Sequence, residues 1–134
     1  MAEASVPSPS DRLREHPDAR FGAPQHAFDL AAAAAELARE PQAGESGHRQ
    51  KALYKHGNTT ISLFIFEHLT RLKPHRTRGV VSIHVLSGHL RITAGGVPHD
   101  VRGGQLLVLA PQVEHDVVAH ERSEMLLTVH LEQS

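Results

Sequence analysis

Histidine is the residue type in this chain that is most capable of metal binding or catalysis. The 134 residues include 12 histidines, no cysteine and no tryptophan. Imidazole is the commonest metal ligand in proteins, and its unperturbed pKa lies near neutral pH. The absence of cysteine excludes disulfides, thiolate catalysis and thiolate metal sites. The composition therefore points to metal or small-ligand binding by histidine, with scattered surface histidines as the alternative.

The rest of the composition narrows the function classes. Fourteen basic residues meet 15 acidic ones, and the net charge is −1 with histidine neutral. This balance disfavours nucleic acid or an anionic membrane as the main partner. No apolar run approaches the roughly 20 residues that span a bilayer, and the N-terminal sequence lacks the features of a secretory signal. We therefore expect a cytoplasmic protein. The chain contains no nucleophile elbow, P-loop or dinucleotide-binding fingerprint.

The elements that must position the histidines fall into three parts. Residues 1–25 hold four of the eight prolines, which predicts a disordered or loosely docked tail. Within residues 26–47, Asp29 is a candidate N-cap, a helix is predicted over residues 30–40, and a Pro- and Gly-rich loop follows. Residues 48–131 contain short β-branched runs separated by turn signals, which predicts an antiparallel sandwich or barrel.

Periodicity assigns the core positions within these elements. Because strand side chains alternate between two faces, one parity of each run is apolar. The residues predicted to face the barrel core are Val81, Ile83, Val85, Leu90, Ile92, Met125, Leu127, Val129 and Leu131. The helix has a narrow apolar stripe made of Leu30, Ala33, Ala34 and Leu37, which predicts that it packs on a larger body. Gly95-Gly96 is predicted to form a hairpin turn.

A stretch around His75 resembles the first sequence motif of the cupins. It reads Lys-Pro-His-Arg-Thr-Arg-Gly and continues through a β-branched run to Gly88. The cupin motif is roughly Gly, five residues, His-x-His, three or four residues, Glu, six residues, Gly. Counted back from Gly88 with the shorter spacer, the Glu position is Val81, the His positions are His75 and Thr77, and the leading Gly position is Leu69. One His and the final Gly are kept.

A second stretch, which ends at His115, resembles the second cupin motif. It reads Gly-Gly-Gln-Leu-Leu-Val-Leu-Ala-Pro-Gln-Val-Glu-His. The motif is Gly, five residues, Pro-x-Gly, two residues, His, three residues, Asn. Counted from Gly104, the Pro position is Ala110, the Gly position is Gln112, the His position is His115 and the Asn position is Ala119. Gly and His are kept in register.

The resemblance implies a double-stranded β-helix, the jelly-roll barrel of the cupins, over about residues 48–131, with one N-terminal helix outside it. It also implies a metal pocket in the barrel mouth, with His75 and His115 as the candidate ligands and Zn, Ni, Fe or Mn as the ion. Ions bound by imidazole usually have three or more protein ligands. The alternative is a pair of pocket histidines that hydrogen-bond to each other, to water or to the backbone. The other histidines considered as a third ligand are His68, His84, His120 and His130.

These residues leave three functions open. The first is binding of a small ligand or a divalent transition metal through His75 and His115, with no catalytic residue assigned. The alternatives are a metal-dependent oxygenase, isomerase or lyase acting on a small polar molecule, and a regulatory or sensor module. The resemblance also implies a homodimer. An apolar patch at Phe64 and Phe66, which one small barrel is not expected to cover alone, points the same way.

Overall fold

Strands dominate the structure, a computed structural model that describes residues 17–41 and 47–132. In chain order the elements are α1 (Pro17–Phe21), α2 (Leu30–Ala38), β1 (His48–His56), β2 (Thr59–Phe66), β3 (Arg71–His75), β4 (Gly79–Ser87), β5 (His89–Ala94), β6 (Val97–Arg102), β7 (Leu106–Leu109), β8 (His115–Ala119) and β9 (Ser123–Leu131). The predicted all-β architecture with an N-terminal helix is confirmed. Residues 1–16 of the predicted tail and residues 42–46 of the predicted loop lie outside the described residues, and the three-part division of the chain stays a prediction.

The strands form two antiparallel sheets that face each other across the main core. One sheet has the order β1-β2-β9-β4-β7, and the other has the order β3-β8-β5-β6. From β3 onward the chain crosses repeatedly from one sheet to the other, so strands distant in sequence become neighbours. Strand β3, for example, pairs with β8. The topology therefore places the ends of these two strands side by side, as a shared site requires.

Most of the predicted core positions are buried between the two sheets. The side chains of Val81, Ile83 and Val85 on β4 and of Leu90 and Ile92 on β5 are at most 3% exposed. Strand β9 follows its predicted parity over most of its length, since one of its residues is buried and two pack against the core while half-buried. These residues are Met125, Leu127 and Val129.

The core prediction for Leu131 was wrong. This residue is 42% exposed at the last position of β9, where it pairs with Gly79 at the start of β4. Alternation assigns a side chain to a face of the sheet, but it does not say whether the opposite sheet extends far enough to cover that position.

Helix α2 packs on the outer face of the larger sheet. Its N-cap is Asp29, whose carboxylate accepts a hydrogen bond from the Ala32 N–H at 3.1 Å. The predicted apolar stripe faces the sheet, with Ala34 and Leu37 buried in it. A second, smaller core forms between helix and sheet from Ala34, Leu37, Leu53, Leu63 and Ile65.

The expected apolar patch at Phe64 and Phe66 is absent. Both side chains lie in the barrel core, where they are 6% and 0% exposed. Leu63 and Ile65 point to the other face of β2, where they are covered by α2. The patch prediction was wrong because the chain covers both faces of this strand itself. The homodimer stays a prediction without this argument.

The segment before α2 lies against β1. Arg20 on α1 donates a hydrogen bond to the carbonyl of Ala52, and the ring of Phe21 meets Tyr54 edge-on at 6.2 Å between centroids. Within the described residues, neither helix has the length and apolar character needed to cross a membrane.

Candidate metal-binding sites

The strand order brings His75 and His115 together. His75 is the last residue of β3, His115 is the first residue of β8, and the two are register partners. Register partners direct their side chains to the same face of a sheet. The centroids of the two imidazole rings lie 4.2 Å apart, with the ring planes inclined by 57°. The two rings are therefore close enough to act on one ligand.

The pair spans the boundary between the barrel interior and solvent. His115 is 4% exposed and shares its strand face with Val117 and Ala119, which belong to the core. His75 is exposed. One ring therefore lies inside the barrel while the other lies at its rim, where a ligand from solution can reach it.

Backbone hydrogen bonds fix both imidazoles in the same tautomer. Nδ1 of His75 lies 2.9 Å from the carbonyl oxygen of Lys73, and Nδ1 of His115 lies 3.0 Å from that of Val113. A carbonyl oxygen only accepts, so Nδ1 is the donor in each ring. In the neutral imidazole the lone pair then resides on Nε2. Metal-bound histidines commonly have this arrangement, with the second ring nitrogen donating to a carbonyl.

The remaining motif positions supply no third ligand. Val81, at the Glu position, is 3% exposed and belongs to the apolar core. Thr77, at the second His position, is half-buried, and its carbonyl accepts a hydrogen bond from the Gln112 N–H at 2.8 Å. Among the described residues, no third His, Asp or Glu lies within ligand distance of the pair. The chain thus offers two imidazole nitrogens here, and the role of His75 and His115 as metal ligands stays a prediction.

A second set of potential ligands lies on the outer face of the four-stranded sheet. It consists of His89 on β5, Asp100 on β6 and His120 just after β8, and one ligand atom from each lies within 4.8 Å of the others. Nε2 of His89 is 2.8 Å from Oδ1 of Asp100. The rings of His89 and His120 stack, with centroids 4.7 Å apart and planes inclined by 27°. We call this set the outer triad.

Arg91 neighbours the outer triad through Asp100. Its Nε donates to Oδ1 at 3.2 Å and its Nη2 donates to Oδ2 at 3.1 Å. The hydrogen bonds from Arg91, followed by the one from His89, hold the pKa of the Asp100 carboxyl well below its usual range. Asp100 is consequently a carboxylate at neutral pH.

The other histidines considered as ligands join neither set. His68 and His130 are exposed and His84 is half-buried. Nδ1 of His130 lies 2.9 Å from the hydroxyl of Thr59. None of these three histidines belongs to a group of three or more potential metal ligands among the described residues.

The outer triad was not predicted from the sequence, although part of its signal was present there. Gly95 and Gly96 form the predicted two-residue hairpin, both with positive φ. A two-residue turn fixes the register of the strands that it joins, and this register places Arg91 opposite Asp100. The proximity of His120 depends on the pairing of β5 with β8, which no local pattern indicates.

Solved structures of other proteins share this arrangement of strands. A cupin-superfamily protein from Desulfitobacterium hafniense superposes with a TM-score of 0.67 at 18% identity, over 84% of this chain and 96% of that chain. An RmlC-like cupin from Desulfovibrio desulfuricans gives a TM-score of 0.63 at 19% identity, over 79% of this chain and 96% of that chain. The fold is that of the cupins. The resemblance of the two motif stretches is confirmed at this level.

Another solved cupin structure has higher sequence identity to this chain but belongs to a longer protein. A cupin 2 conserved barrel domain protein from Leptotrichia buccalis is 28% identical with a TM-score of 0.63, over 77% of this chain. The present chain spans about half of that protein, since 47% of it is covered. No protein-family model matches the sequence, and no curated protein matches it.

Two turns of this cupin-fold barrel have positive φ at motif Gly positions that are not glycine in this chain. Leu69 and Gln112 occupy the two missing Gly positions, and their φ angles are +68° and +69°. Such angles favour glycine and are uncommon for bulky residues. Gly88, which is kept, has φ +92°, and a Cβ there would collide with Ser123 Oγ and the carbonyl of Arg122. At two positions this chain therefore has the backbone conformation that glycine favours, although neither residue is glycine.

Proposed function

We propose that this cupin-fold protein binds a divalent transition metal in the barrel mouth through Nε2 of His75 and Nε2 of His115, and that a small ligand completes the ion's coordination. One observation carries the proposal. Both rings donate Nδ1–H to backbone carbonyls while lying 4.2 Å apart, so both lone pairs are available on neighbouring side chains.

The donor set narrows the identity of the ion. Two imidazoles without a carboxylate suit zinc, nickel or iron better than manganese, which prefers oxygen ligands. Two protein ligands also leave coordination positions to water or to a small molecule. When bound, the ion would act as a Lewis acid on an oxygen of that molecule. His75 and His115 would hold the ion in place, and the buried position of His115 would limit access to one side.

Charges near the pair favour an anionic small ligand. Strand β3 and the residues that follow it carry four exposed basic side chains, which are Arg71, Lys73, Arg76 and Arg78. The acidic residues next to His115 are Glu114, which is exposed, and Asp116, which is half-buried. Exposed basic side chains close in sequence to His75 raise the local concentration of anions. A small carboxylate or phosphate would suit both these charges and the open positions of the ion.

The alternative of a metal-dependent oxygenase, isomerase or lyase needs a catalytic acid or base besides the two histidines. The hydrogen bonds of His75 and His115 go to backbone carbonyls, so no titratable side chain touches the pair through a hydrogen bond within the described residues. General acid–base catalysis needs such a group within reach of the substrate. A regulatory or sensor module that binds without turnover uses the same site, and a partner that reads its state would distinguish it from a simple binder.

The experiment is a calorimetric titration of chelator-treated protein with Zn²⁺ and, separately, Ni²⁺. His75→Ala is the clean variant because this side chain is exposed, and His115→Gln preserves most of the buried volume. Each is expected to weaken binding at the barrel site by at least about 100-fold, since changes to outer-shell partners alone reduce affinity by about 10–100-fold. His84→Ala is the control and should bind like the wild type. Unchanged affinity and stoichiometry in the His75 and His115 variants would overturn the proposal.

A further inference from the structure

The outer triad offers a more complete ligand set than the barrel mouth. It combines two imidazole nitrogens with one carboxylate oxygen, and its ligand atoms already lie within 4.8 Å of one another. Two histidines and a carboxylate form a recurrent ligand set for zinc and for non-haem iron. Late divalent transition ions prefer imidazole nitrogen, so this set favours them over calcium or magnesium.

The backbone holds the three residues rigidly. Asp100 lies opposite Arg91 in the β5–β6 register, two residues along β5 from His89. The backbone N–H of His120 donates to the carbonyl of His89 at 3.0 Å. All three side chains therefore project from paired backbone on the side of the sheet away from the core residues Leu90 and Val101. Ligands on paired strands require little ordering when an ion binds.

Arg91 shares Asp100 without blocking the triad. Oδ2 of Asp100 accepts from Arg91 Nη2, whereas Oδ1 accepts from both Arg91 Nε and His89 Nε2. The side chains of Arg91 and Asp100 are 47% and 41% exposed, and ion pairs at such exposure contribute little to stability. An ion on Oδ1 can therefore replace the contacts there while the Nη2 contact to Oδ2 keeps the carboxylate oriented.

We propose that His89, Asp100 and His120 form a second metal site, which binds a late divalent transition ion such as Zn²⁺ on the outer face of the four-stranded sheet. The site is independent of the pair in the barrel mouth. On binding, the proton that His89 Nε2 donates to Asp100 leaves that nitrogen, either to Nδ1 of the same ring or to water, and the ion occupies the freed lone pair. The three protein ligands leave at least one position of the ion open to solvent.

The test separates this site from the proposed function by removing the barrel ligands first. Chelator-treated His75→Ala/His115→Ala protein is titrated with Zn²⁺ by calorimetry. One equivalent is expected to bind with a dissociation constant in the micromolar range. Adding His120→Ala or Asp100→Asn to this background should weaken binding by at least about 100-fold. His84→Ala in the same background is the matched control and should leave the equivalent in place.

Two outcomes overturn the second site. The first is a His75→Ala/His115→Ala variant that binds no zinc, and the second is zinc binding that survives both His120→Ala and Asp100→Asn unchanged. Circular dichroism checks that each variant keeps its strands, and Asp100→Asn preserves side-chain shape if His120→Ala perturbs the stack. If the wild type and the His75→Ala/His115→Ala variant bind the same single equivalent, the barrel proposal fails while the second site stands.

Discussion

Replacing Val81 with glutamate tests whether the barrel mouth is a cupin metal site that lacks one ligand. Val81 occupies the Glu position of the first motif, and it is 3% exposed among the core residues of the barrel. If His75 and His115 hold an ion, a carboxylate at this position adds a third protein ligand. The variant is therefore expected to lose stability without metal and to regain it with metal.

The magnitude follows from the burial of the side chain. Removing a fully buried valine from the core costs about 2 kcal/mol of unfolding free energy, and an unpaired buried carboxyl adds about 1–3 kcal/mol. A total near 4 kcal/mol lowers the melting temperature of a chain of this size by about 15 °C. An ion present at about a thousand times its dissociation constant raises the unfolding free energy by about 4 kcal/mol. Metal should therefore restore Val81→Glu to nearly the wild-type melting temperature.

Differential scanning calorimetry of Val81→Glu with chelator and with excess Zn²⁺ measures both effects. Val81→Gln is the control, because it buries a polar group of the same size that is a poor metal ligand. It should be destabilised to a similar extent and gain no more from zinc than the wild type. Equal zinc-induced rises in the melting temperatures of the Glu and Gln variants would contradict the prediction. So would an extra gain of the Glu variant over the Gln variant that persists after His75→Ala and His115→Gln are added to both.

Three further predictions concern the frame around the sites. Gln112→Gly should raise the unfolding free energy, measured by urea titration, by about 0.5–1 kcal/mol. Relief of the positive φ contributes about 1–2 kcal/mol, which outweighs the cost of about 0.4–1 kcal/mol from the greater flexibility of glycine in the unfolded chain. Gln112→Ala keeps the strained backbone and should show no gain. The pKa of Asp100 is lower in the folded state than in the unfolded chain. Its ionised carboxylate therefore contributes to the unfolding free energy above the unfolded pKa of about 3.9, and this contribution is lost as pH falls below that value. Asp100→Asn should thus flatten the decline in unfolding free energy below about pH 4, and an unchanged decline would contradict the assignment. Leu37→Ala removes a side chain that is 1% exposed and should cost about 2–5 kcal/mol; a loss below 1 kcal/mol on chemical denaturation would show that α2 contributes little.

Local patterns predicted the interior of the barrel well because alternation is a property of each strand alone. Val81, Ile83 and Val85 are buried as expected, and the helix begins at its predicted cap, Asp29. The helix ends at Ala38, two residues before the predicted end, where Arg39 already serves as the C-cap. Such errors arise at element ends, where neighbouring residues compete for the last hydrogen bonds.

Features that depend on pairing between distant segments were harder to predict. The burial of Phe64 and Phe66 inside the barrel and of Leu63 and Ile65 under α2 required knowing that a helix far from β2 in sequence covers one of its faces. A strand that is apolar on both sides has no parity signal to say which side meets which layer. For this strand, periodicity gave the two faces without their partners.

The two candidate sites differ in how far the sequence predicted them. The convergence of His75 with His115 was expected from the two motif stretches, because their resemblance to the cupin motifs implies the strand order that brings the two residues together. The outer triad has no such motif. It depends on His120 meeting His89 through the pairing of β5 with β8. The predicted hairpin therefore indicates that Asp100 lies near this part of β5, whereas no local pattern indicates the position of His120.

Because α2 belongs to the same chain as β2, the burial of the apolar face of β2 does not depend on protein concentration. Leu63 and Ile65 are buried by Ala34 and Leu37 of the same chain, joined to the barrel by a short connection. A group tethered in this way presents an effective concentration of roughly millimolar order, whatever the amount of protein in solution. This apolar face therefore stays covered when the protein is diluted, whereas a face closed by a second molecule would open as the concentration fell below the dissociation constant.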